Sequence, residues 1–193
     1  LEREVSTVLA RSESGDINNF PVAENVHVNG ILHATTVPSS VAEQYARTAI
    51  KMADSIAEGL GYVGIMAVEF FISQEGDVIA NEIAPRPHNS GHFTLDACET
   101  SQFEQQVRML CGLPSGNCEL KSPVVMINLL GDVWGSSVPN WDTLLSQPQN
   151  KLHLYGKTEA RVGRKMGHFN VLASSIEQAA KIAEQSFEAL KAD

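Results

Sequence analysis

Two glutamates lie on opposite sides of a short turn near the middle of the chain. Segments 62–73 and 78–84 are rich in β-branched and aromatic residues, a pattern typical of two strands joined by a hairpin turn. If Glu75–Gly76 are the two central residues of that turn, Glu69 lies directly opposite Glu82. The sequence therefore predicts two carboxylates on one face of a β-hairpin.

The pairing of Glu69 with Glu82 is unfavourable unless a cation lies between the carboxylates. Like charges on paired strands repel, and the repulsion raises the pKa of one carboxyl group. Mg²⁺ or Mn²⁺ relieves this repulsion, because it binds one or two carboxylates and keeps other positions for phosphate oxygens and water. A shifted register, or exposure of both side chains at a sheet edge, would remove the site. In the predicted register Asn81 points to the opposite, mostly apolar face.

A cluster of polar side chains follows the second strand directly. Pro85 and Pro87 exclude a helix here, and Gly91 permits a sharp turn of the backbone. Loops at strand ends commonly carry catalytic groups in α/β folds. An arginine can bind a carboxylate or phosphate, and neutral amide and imidazole groups can donate to a developing anion. Zinc is disfavoured because the loop sequence argues against a helical His pair. The polar residues are Arg86, His88, Asn89, Ser90 and His92.

A second candidate region is basic, in a chain whose net charge is -9. Residues 155–168 combine several lysines and arginines with three glycines. Close glycine spacing lets backbone N–H groups approach an anion while cationic side chains neutralise it. The alternative is a solvated loop whose charges only maintain solubility. The basic residues are Lys157, Arg161, Arg164 and Lys165.

Hydrophobic periodicity predicts a mixed α/β chain around these residues. One helix covers about 40–59 with Ser39–Ser40 at its N-cap, and another begins after Ser101 and ends near Cys111. Residues 112–117 read as a domain boundary. The other predicted elements are strands at 5–10, 26–28, 31–35, 124–130, 152–155 and 168–173, a short helix at 141–145, and a final helix from Ser175.

Composition limits the classes of function. Of the 193 residues, 43% are hydrophobic and 19% charged, which is ordinary for a globular protein. The excess of acidic residues argues against nucleic-acid binding, and no apolar run approaches the roughly 20 residues of a membrane span. The three cysteines fit no zinc ribbon, so we expect reduced, mostly buried thiols in a cytoplasmic protein. The chain begins with Leu1 in a strand-like run, so we expect a piece of a longer protein.

Several segments together resemble a known enzyme family. Segments 67–71, 81–92 and 101–104 resemble the 5-(carboxyamino)imidazole ribonucleotide synthases, ATP-grasp ligases of purine biosynthesis, and segments 128–131 and 163–168 fit the C-terminal domain of these enzymes. The resemblance implies an α+β or mixed α/β fold in two parts. Residues 1–117 would form the C-terminal part of an ATP-grasp domain, an antiparallel sheet with packed helices. Residues 118–193 would form a small β-rich domain that completes the acceptor site.

The resemblance also implies a reaction and a set of residues for it. ATP, bicarbonate and 5-aminoimidazole ribonucleotide would give the N5-carboxylated ribonucleotide, ADP and phosphate through carboxyphosphate. Arg86 would hold bicarbonate or carboxyphosphate. The other roles implied are Mg²⁺ (or Mn²⁺) binding by Glu69 and Glu82, ATP binding by Glu4, His27, Asn81 and Glu82, an acceptor site lined by His88, Asn89 and His92, and binding of the substrate 5′-phosphate by Lys157, Arg164 and Lys165.

The family pattern also implies properties of the whole protein. The first half of the ATP-grasp fold would precede Leu1, so we expect no turnover from the isolated chain. A cytoplasmic homodimer is implied, and fusion to a mutase domain is known in some members. Two alternatives stay open: another ATP-grasp carboxylate–amine ligase, or a non-catalytic nucleotide-binding module.

Overall fold

Nine antiparallel strands form one sheet in residues 2–135 and 137–192, the part of the chain that the computed structural model describes. The strand order is β6-β5-β1-β3-β4-β7-β9-β8, with β2 paired to β1, so β6 and β8 are the two edges of this path. The strands are β1 (Arg3–Arg11), β2 (Ile17–Asn19), β3 (Ala23–Val28), β4 (Ile31–Val37), β5 (Gly64–Ile72), β6 (Val78–Ala84), β7 (Val124–Leu130), β8 (Asn150–Leu154) and β9 (Lys165–Leu172).

The helices cover both faces of the sheet. α1 packs on the face of β1 and β5 that carries Val5 and Phe70, whereas α3 contacts the opposite face near Ala67. α4 and α5 pack against β7–β9. In the described part of the chain, no helix is long and apolar enough to span a bilayer. The helices are α1 (Glu43–Gly59), α2 (Thr94–Ala97), α3 (Gln102–Leu110), α4 (Trp141–Leu145) and α5 (Ile176–Ala192), with 3-10 turns at Asn89–Gly91 and Gly131–Trp134.

The predicted elements are present with small shifts at their ends, and the mixed α/β class is confirmed. The predicted cap of α1 at Ser39–Ser40 is wrong, because Ala42 is the N-cap and the N–H and hydroxyl of Ser40 donate to the Glu24 carboxylate. Ser101 caps α3 as expected, accepting from the Glu104 N–H at 3.2 Å. The short elements β2 and α2 were not predicted from the sequence.

The turn of the β5–β6 hairpin differs from the prediction. It contains three residues rather than two, since Ser73 donates its N–H to the Asp77 carbonyl and Gly76 donates to the Ser73 carbonyl. Gly76 occupies the left-handed region with φ of +89°, which a glycine adopts without strain. Counted back from this turn, a regular ladder would place Glu69 opposite Asn81.

A β-bulge changes that register before the glutamates are reached. Phe70 pairs with Ala80, but Glu69 pairs with Glu82, so Asn81 is an extra residue on β6. The predicted Glu69–Glu82 pair is therefore confirmed, although its derivation from a two-residue turn is wrong. Beyond the bulge the ladder continues regularly to Ala84.

The sheet continues across the predicted domain boundary. β4 from the first segment pairs with β7 from the second over Ala34–Val37 and 124–127. The division at 117/118 stays a prediction. Cys98 and Cys118 are buried and Cys111 is exposed, and all three are free thiols.

Candidate functional site

A cavity of about 710 Å³ opens on the face of the sheet opposite α1. Strands β1, β3, β5 and β6 form its floor, and the loop after β6 and the β8–β9 connection form its walls. The structure brings nine of the twelve predicted site residues to this cavity. They are Glu4, His27, Glu69, Asn81, Glu82, Arg86, His88, Lys157 and Lys165.

Carboxylates from three adjacent strands form one end of the cavity, which we call the acidic end (Glu4, Glu69 and Glu82). Glu4 lies opposite Phe71, two residues along β5 from Glu69, so the three side chains share one face of the sheet. Burial raises the pKa of Glu69, and the nearby Glu82 and Glu4 raise it further, against the opposing effect of His27 and Lys165. This carboxylate gains most from a cation in the cavity.

The acidic end fits a divalent cation that also binds phosphate oxygens. Glu69 and Glu82 supply two carboxylates in one register pair. In the described ranges, no group of three or more His, Cys, Asp or Glu side chains has metal-site geometry, so a complete protein cage for a cation is not found there. Mg²⁺ commonly takes one or two carboxylates and completes its shell with phosphate and water, which is the donor set available here.

Asn81 and His27 complete the acidic end. The bulge places Asn81 in the wall of the same cavity as Glu69 and Glu82, so its predicted position on the apolar face is wrong. His27 on β3 contacts the Glu4 carboxylate through Nδ1. Both side chains are partly exposed to the cavity and offer polar contacts for a hydroxyl-bearing ligand.

The loop after β6 contributes Arg86 and His88. The Nδ1 atom of His88 caps the 3-10 turn by accepting from the Ser90 N–H at 3.4 Å, and it lies 2.9 Å from the Ser90 hydroxyl. Its Nε2 atom lies 3.8 Å from Oε1 of Glu69. Burial, together with Lys165 and Arg86, lowers the pKa of His88 to about 4. His88 is therefore neutral at pH 7 and presents Nε2–H to the cavity as a hydrogen-bond donor.

Three cations also line the cavity, and we call this group the basic end (Arg86, Lys157 and Lys165). Lys157 donates to the Lys165 carbonyl and lies 5.4 Å from the centre of the Tyr155 ring. Burial lowers the pKa of Lys165, with Glu69 opposing this effect. Gly163, with φ of +72°, also lines the wall, so the basic end offers two ammonium groups and exposed backbone to an anion.

Three predicted site residues lie outside the cavity wall. Asn89 is buried and exchanges two amide hydrogen bonds with Asn128. His92 lies behind the loop, with its ring 4.8 Å from the His168 ring. Arg164 donates to the Glu159 carbonyl at 2.9 Å. Asn89 and His92 thus support the loop that carries His88, and their predicted roles stay predictions.

The apolar part of the cavity wall was not predicted from the sequence. Ile31, Leu32 and Phe71 line the cavity beside the acidic end. Phe71 could have been found, because alternation places it on the same face as Glu69. Ile31 and Leu32 come from β4, which forms a hairpin with β3, but their position beside the acidic end depends on the long-range pairing of β3 with β1.

Two stretches of the chain each match a known family model. Residues 1–103 match the family model of the ATP-grasp domain. Residues 124–182 match the model of the phosphoribosylaminoimidazole carboxylase C-terminal domain.

Curated proteins and solved structures point to one group of relatives. N5-carboxyaminoimidazole ribonucleotide synthase of Bacillus subtilis is 47% identical over 172 residues, which are 89% of this chain and 44% of that protein. The crystal structure of the synthetase from Thermotoga maritima gives a TM-score of 0.89 at 39% identity, covering 98% of this chain and 52% of that chain. The Aspergillus clavatus synthase, solved with ADP and 5-aminoimidazole ribonucleotide, gives 0.92 at 26% identity, covering all of this chain and 52% of that one. The chain thus spans about half the length of these relatives.

Proposed function

Since this chain belongs to the ATP-grasp family, in the group of the N5-carboxyaminoimidazole ribonucleotide synthases, we propose that the full-length protein carboxylates 5-aminoimidazole ribonucleotide. ATP and bicarbonate are the co-substrates, and ADP and phosphate are the other products. Bicarbonate attacks the γ-phosphate of ATP and gives carboxyphosphate, whose carbon is then transferred to the substrate amine. One observation carries this proposal: a single cavity is lined by the three carboxylates of the acidic end and the three cations of the basic end.

The acidic end binds the nucleotide in this proposal. Glu4 and His27 contact the ATP ribose and its surroundings, and Asn81 with Glu82 contacts the phosphates. Mg²⁺ (or Mn²⁺), when bound to Glu69 and Glu82, neutralises phosphate charge and polarises the γ-phosphoryl group.

The basic end binds the anions that react. Arg86 holds bicarbonate and then carboxyphosphate through its planar guanidinium group. His88 donates from Nε2 to the same anion, because it is neutral and faces the cavity. Lys157 and Lys165 bind the 5′-phosphate of the ribonucleotide. Arg164 joins them by exchanging the Glu159 carbonyl for the phosphate.

The supporting loop keeps water from the reactive intermediate. Asn89 and His92 hold the loop against β7 and β9 and complete the acceptor site from behind. Carboxyphosphate is an acyl phosphate that water destroys, so a rigid wall raises the fraction transferred to the amine.

The proposal is tested with the full-length protein. ADP release is measured in a coupled assay with ATP, bicarbonate and 5-aminoimidazole ribonucleotide, and each substrate is omitted in turn. ADP release that depends on all three, with carboxylated ribonucleotide formed in equal amount, supports the proposal. Release that is independent of bicarbonate would favour another ATP-grasp ligase, and nucleotide binding without release would favour the non-catalytic module. The isolated 193-residue chain should show no release.

Three properties of the whole protein are part of the proposal. We place it in the cytoplasm as a homodimer, on the basis of its family membership. Light scattering on the purified full-length protein tests the dimer. A fused mutase domain stays a prediction that the sequence of the parent gene tests.

A further inference from the structure

Gln102 lies at the first position of α3, directly behind the loop that carries His88, and its side chain is completely buried. The amide forms three hydrogen bonds with this loop. Its Oε1 accepts from the His88 N–H at 2.9 Å, and its Nε2 donates to the His88 carbonyl at 2.7 Å. The same Nε2 lies 3.0 Å from Nδ1 of His92. One side chain thus binds both backbone polar groups of His88 and the ring of a second histidine.

Gly91 makes this close approach possible. A Cβ atom at Gly91 would lie 2.5 Å from Oε1 of Gln102, which is a severe overlap. Gly91 lies in the 3-10 turn Asn89–Gly91, so the expected sharp turn is present, although the φ of Gly91 is not positive. The glycine also gives the Gln102 amide room against the loop.

The hydrogen-bond pattern fixes which ring nitrogens carry protons. The His88 N–H can only donate, so the oxygen of the Gln102 amide must face it and the nitrogen must face His92. An amide nitrogen only donates, hence Nδ1 of His92 is an acceptor and its proton is on Nε2. The backbone N–H of Ser90 sets His88 in the same tautomer, with Nε2–H towards Glu69.

We propose that Gln102 is a positioning residue for the cavity: it fixes the backbone of His88, and with it the direction of the Nε2–H group, and it holds His92 in the Nε2–H tautomer. The assignment of the His92 tautomer stands on the structure alone. The effect on turnover rests on the proposed function, because there His88 donates to the reacting anion.

Gln105 offers a matched control on the same helix. It is also completely buried, and its amide binds one backbone in the same two-bond manner, accepting from the Gly116 N–H at 3.0 Å and donating to the Gly116 carbonyl at 2.7 Å. Gly116 lies outside the cavity wall. Removing either amide therefore leaves comparable buried groups unpaired, but only one of them supports His88.

The test compares Gln102→Met and Gln105→Met in the full-length protein. Histidine side chains are labelled with ¹⁵N, and long-range ¹H–¹⁵N spectra at one fixed pH report the tautomer of His92. We expect the Nε2–H form in the unsubstituted protein and in Gln105→Met, and a mixture of tautomers in Gln102→Met. We also expect kcat to fall about ten- to a hundredfold in Gln102→Met, with the KM for ATP little changed. Gln105→Met should lose thermal stability but keep its kcat.

Gln102→Glu is a second test variant, which is informative even if Gln102→Met does not fold. A carboxylate cannot donate, so Nδ1 of His92 must carry a proton to keep the contact, and the spectrum should change to a protonated Nδ1. An Nδ1–H tautomer of His92 in the unsubstituted protein, or an unchanged spectrum in Gln102→Glu, overturns the proposal. Equal losses of kcat in Gln102→Met and Gln105→Met overturn its catalytic part. If the unsubstituted protein shows no bicarbonate-dependent turnover, the proposed function fails, and the spectra still decide the positioning role.

Discussion

The two ends of the cavity are built by different means. At the acidic end, Glu4, Glu69 and Glu82 belong to paired strands, and backbone ladders fix their relative positions. At the basic end, Lys165 begins strand β9, but Arg86 and Lys157 belong to loops. The buried Gln102 holds the loop of Arg86 through His88, and the buried His168 contacts Tyr155 at the start of the loop of Lys157. Ladder positions follow from a period of two, whereas loop positions depend on contacts far apart in the sequence. Removing a charge at the acidic end should therefore change its chemistry without moving its strands. Changing a buried supporting residue should move the loops of the basic end.

The largest expected effect is at the acidic end. Glu69→Gln removes the negative charge but keeps the size of the side chain, so kcat should fall at least about a hundredfold. The free energy of unfolding should not fall, because the pKa of Glu69 is already raised by burial and by neighbouring carboxylates. Steady-state kinetics and urea unfolding of the full-length protein measure the two quantities.

Glu75→Gln is the matched control for this change. Glu75 is an exposed carboxylate in the turn of the same hairpin. Its substitution should leave both kcat and stability within experimental error. Loss of stability in Glu69→Gln would show that the carboxylate has a structural role, and the metal assignment would lose its support.

A smaller effect is expected at the basic end. Lys157→Met removes a cation from the cavity wall, so the KM for the ribonucleotide should rise about ten- to a hundredfold, the range of a charge-assisted hydrogen bond. Arg161→Met is the control, because Arg161 forms an ion pair with Glu159 on the exposed part of the same loop. We expect its KM to change less than about twofold. Equal effects from the two variants would mean that the loop acts only through its net charge.

The acidic end was largely predictable from the sequence, but for a partly wrong reason. The prediction assumed a two-residue turn, but the turn has three residues, and it assumed a regular ladder, but the ladder contains a one-residue bulge at Asn81. These two errors shift the register in opposite directions, so they cancel at the Glu69–Glu82 pair. Because a one-residue slip moves a side chain to the other face, Asn81 was assigned to the wrong face. A bulge has no reliable sequence signal, since it depends on how the strand packs in three dimensions.

The basic end was predictable only in part. The spacing of glycines and lysines indicated an anion site. It did not show that Lys157 lines the cavity whereas Arg161 forms an ion pair with Glu159 instead, because this depends on where Glu159 lies in the folded loop. Likewise the role of Gln102 could not be read from a helical periodicity, because its partners at His88 are fourteen positions away. Helices and strands follow local patterns, whereas these contacts follow from tertiary packing.

The buried histidines behind the basic end should make the stability of the protein depend on pH. Behind the loop, the His168 ring stacks on His153 at 4.6 Å, and its Nδ1 contacts the Tyr155 hydroxyl at 2.9 Å. Burial, with His92 and His153, lowers the pKa of His168 to about 3, and burial lowers that of His92 to about 4. In the unfolded chain both histidines bind a proton below about pH 6.5.

Stability should therefore fall as the pH decreases from about 6.5 towards 4. Each of these two histidines should contribute a slope of about 1.4 kcal/mol per pH unit, because the unfolded state binds the extra proton. Burial alone would raise the pKa of Asp96, but hydrogen bonds from His153 and Asn170 hold this pKa below its ordinary value of 3.8. Asp96 therefore acts in the same direction only at lower pH, between its ordinary pKa and its lowered pKa. The free energy of unfolding is measured in urea as a function of pH for the full-length protein and for His168→Gln. Its slope against pH should be smaller in His168→Gln by the contribution of one histidine, about 1.4 kcal/mol per pH unit. Between about pH 7 and 8 both slopes should be close to zero, because the two histidines are neutral in the folded and the unfolded chain. A slope below pH 6.5 that the substitution leaves unchanged would contradict the assignment.

The smallest expected effect concerns the bulge at the acidic end. Asn81→Ala removes one neutral amide from the cavity wall but leaves the ladder that pairs Glu69 with Glu82. The KM for ATP should rise about three- to tenfold, the range of one neutral hydrogen bond, and kcat should change less than about twofold. Ile83→Ala is the control, because Ile83 pairs with Val68 on the other face of the hairpin and should leave the KM for ATP unchanged. A fall in kcat at constant KM would instead mean that the Asn81 side chain holds Glu82 in place. The acidic end would then depend on side-chain contacts as the basic end does, and the ladder alone would not explain its geometry.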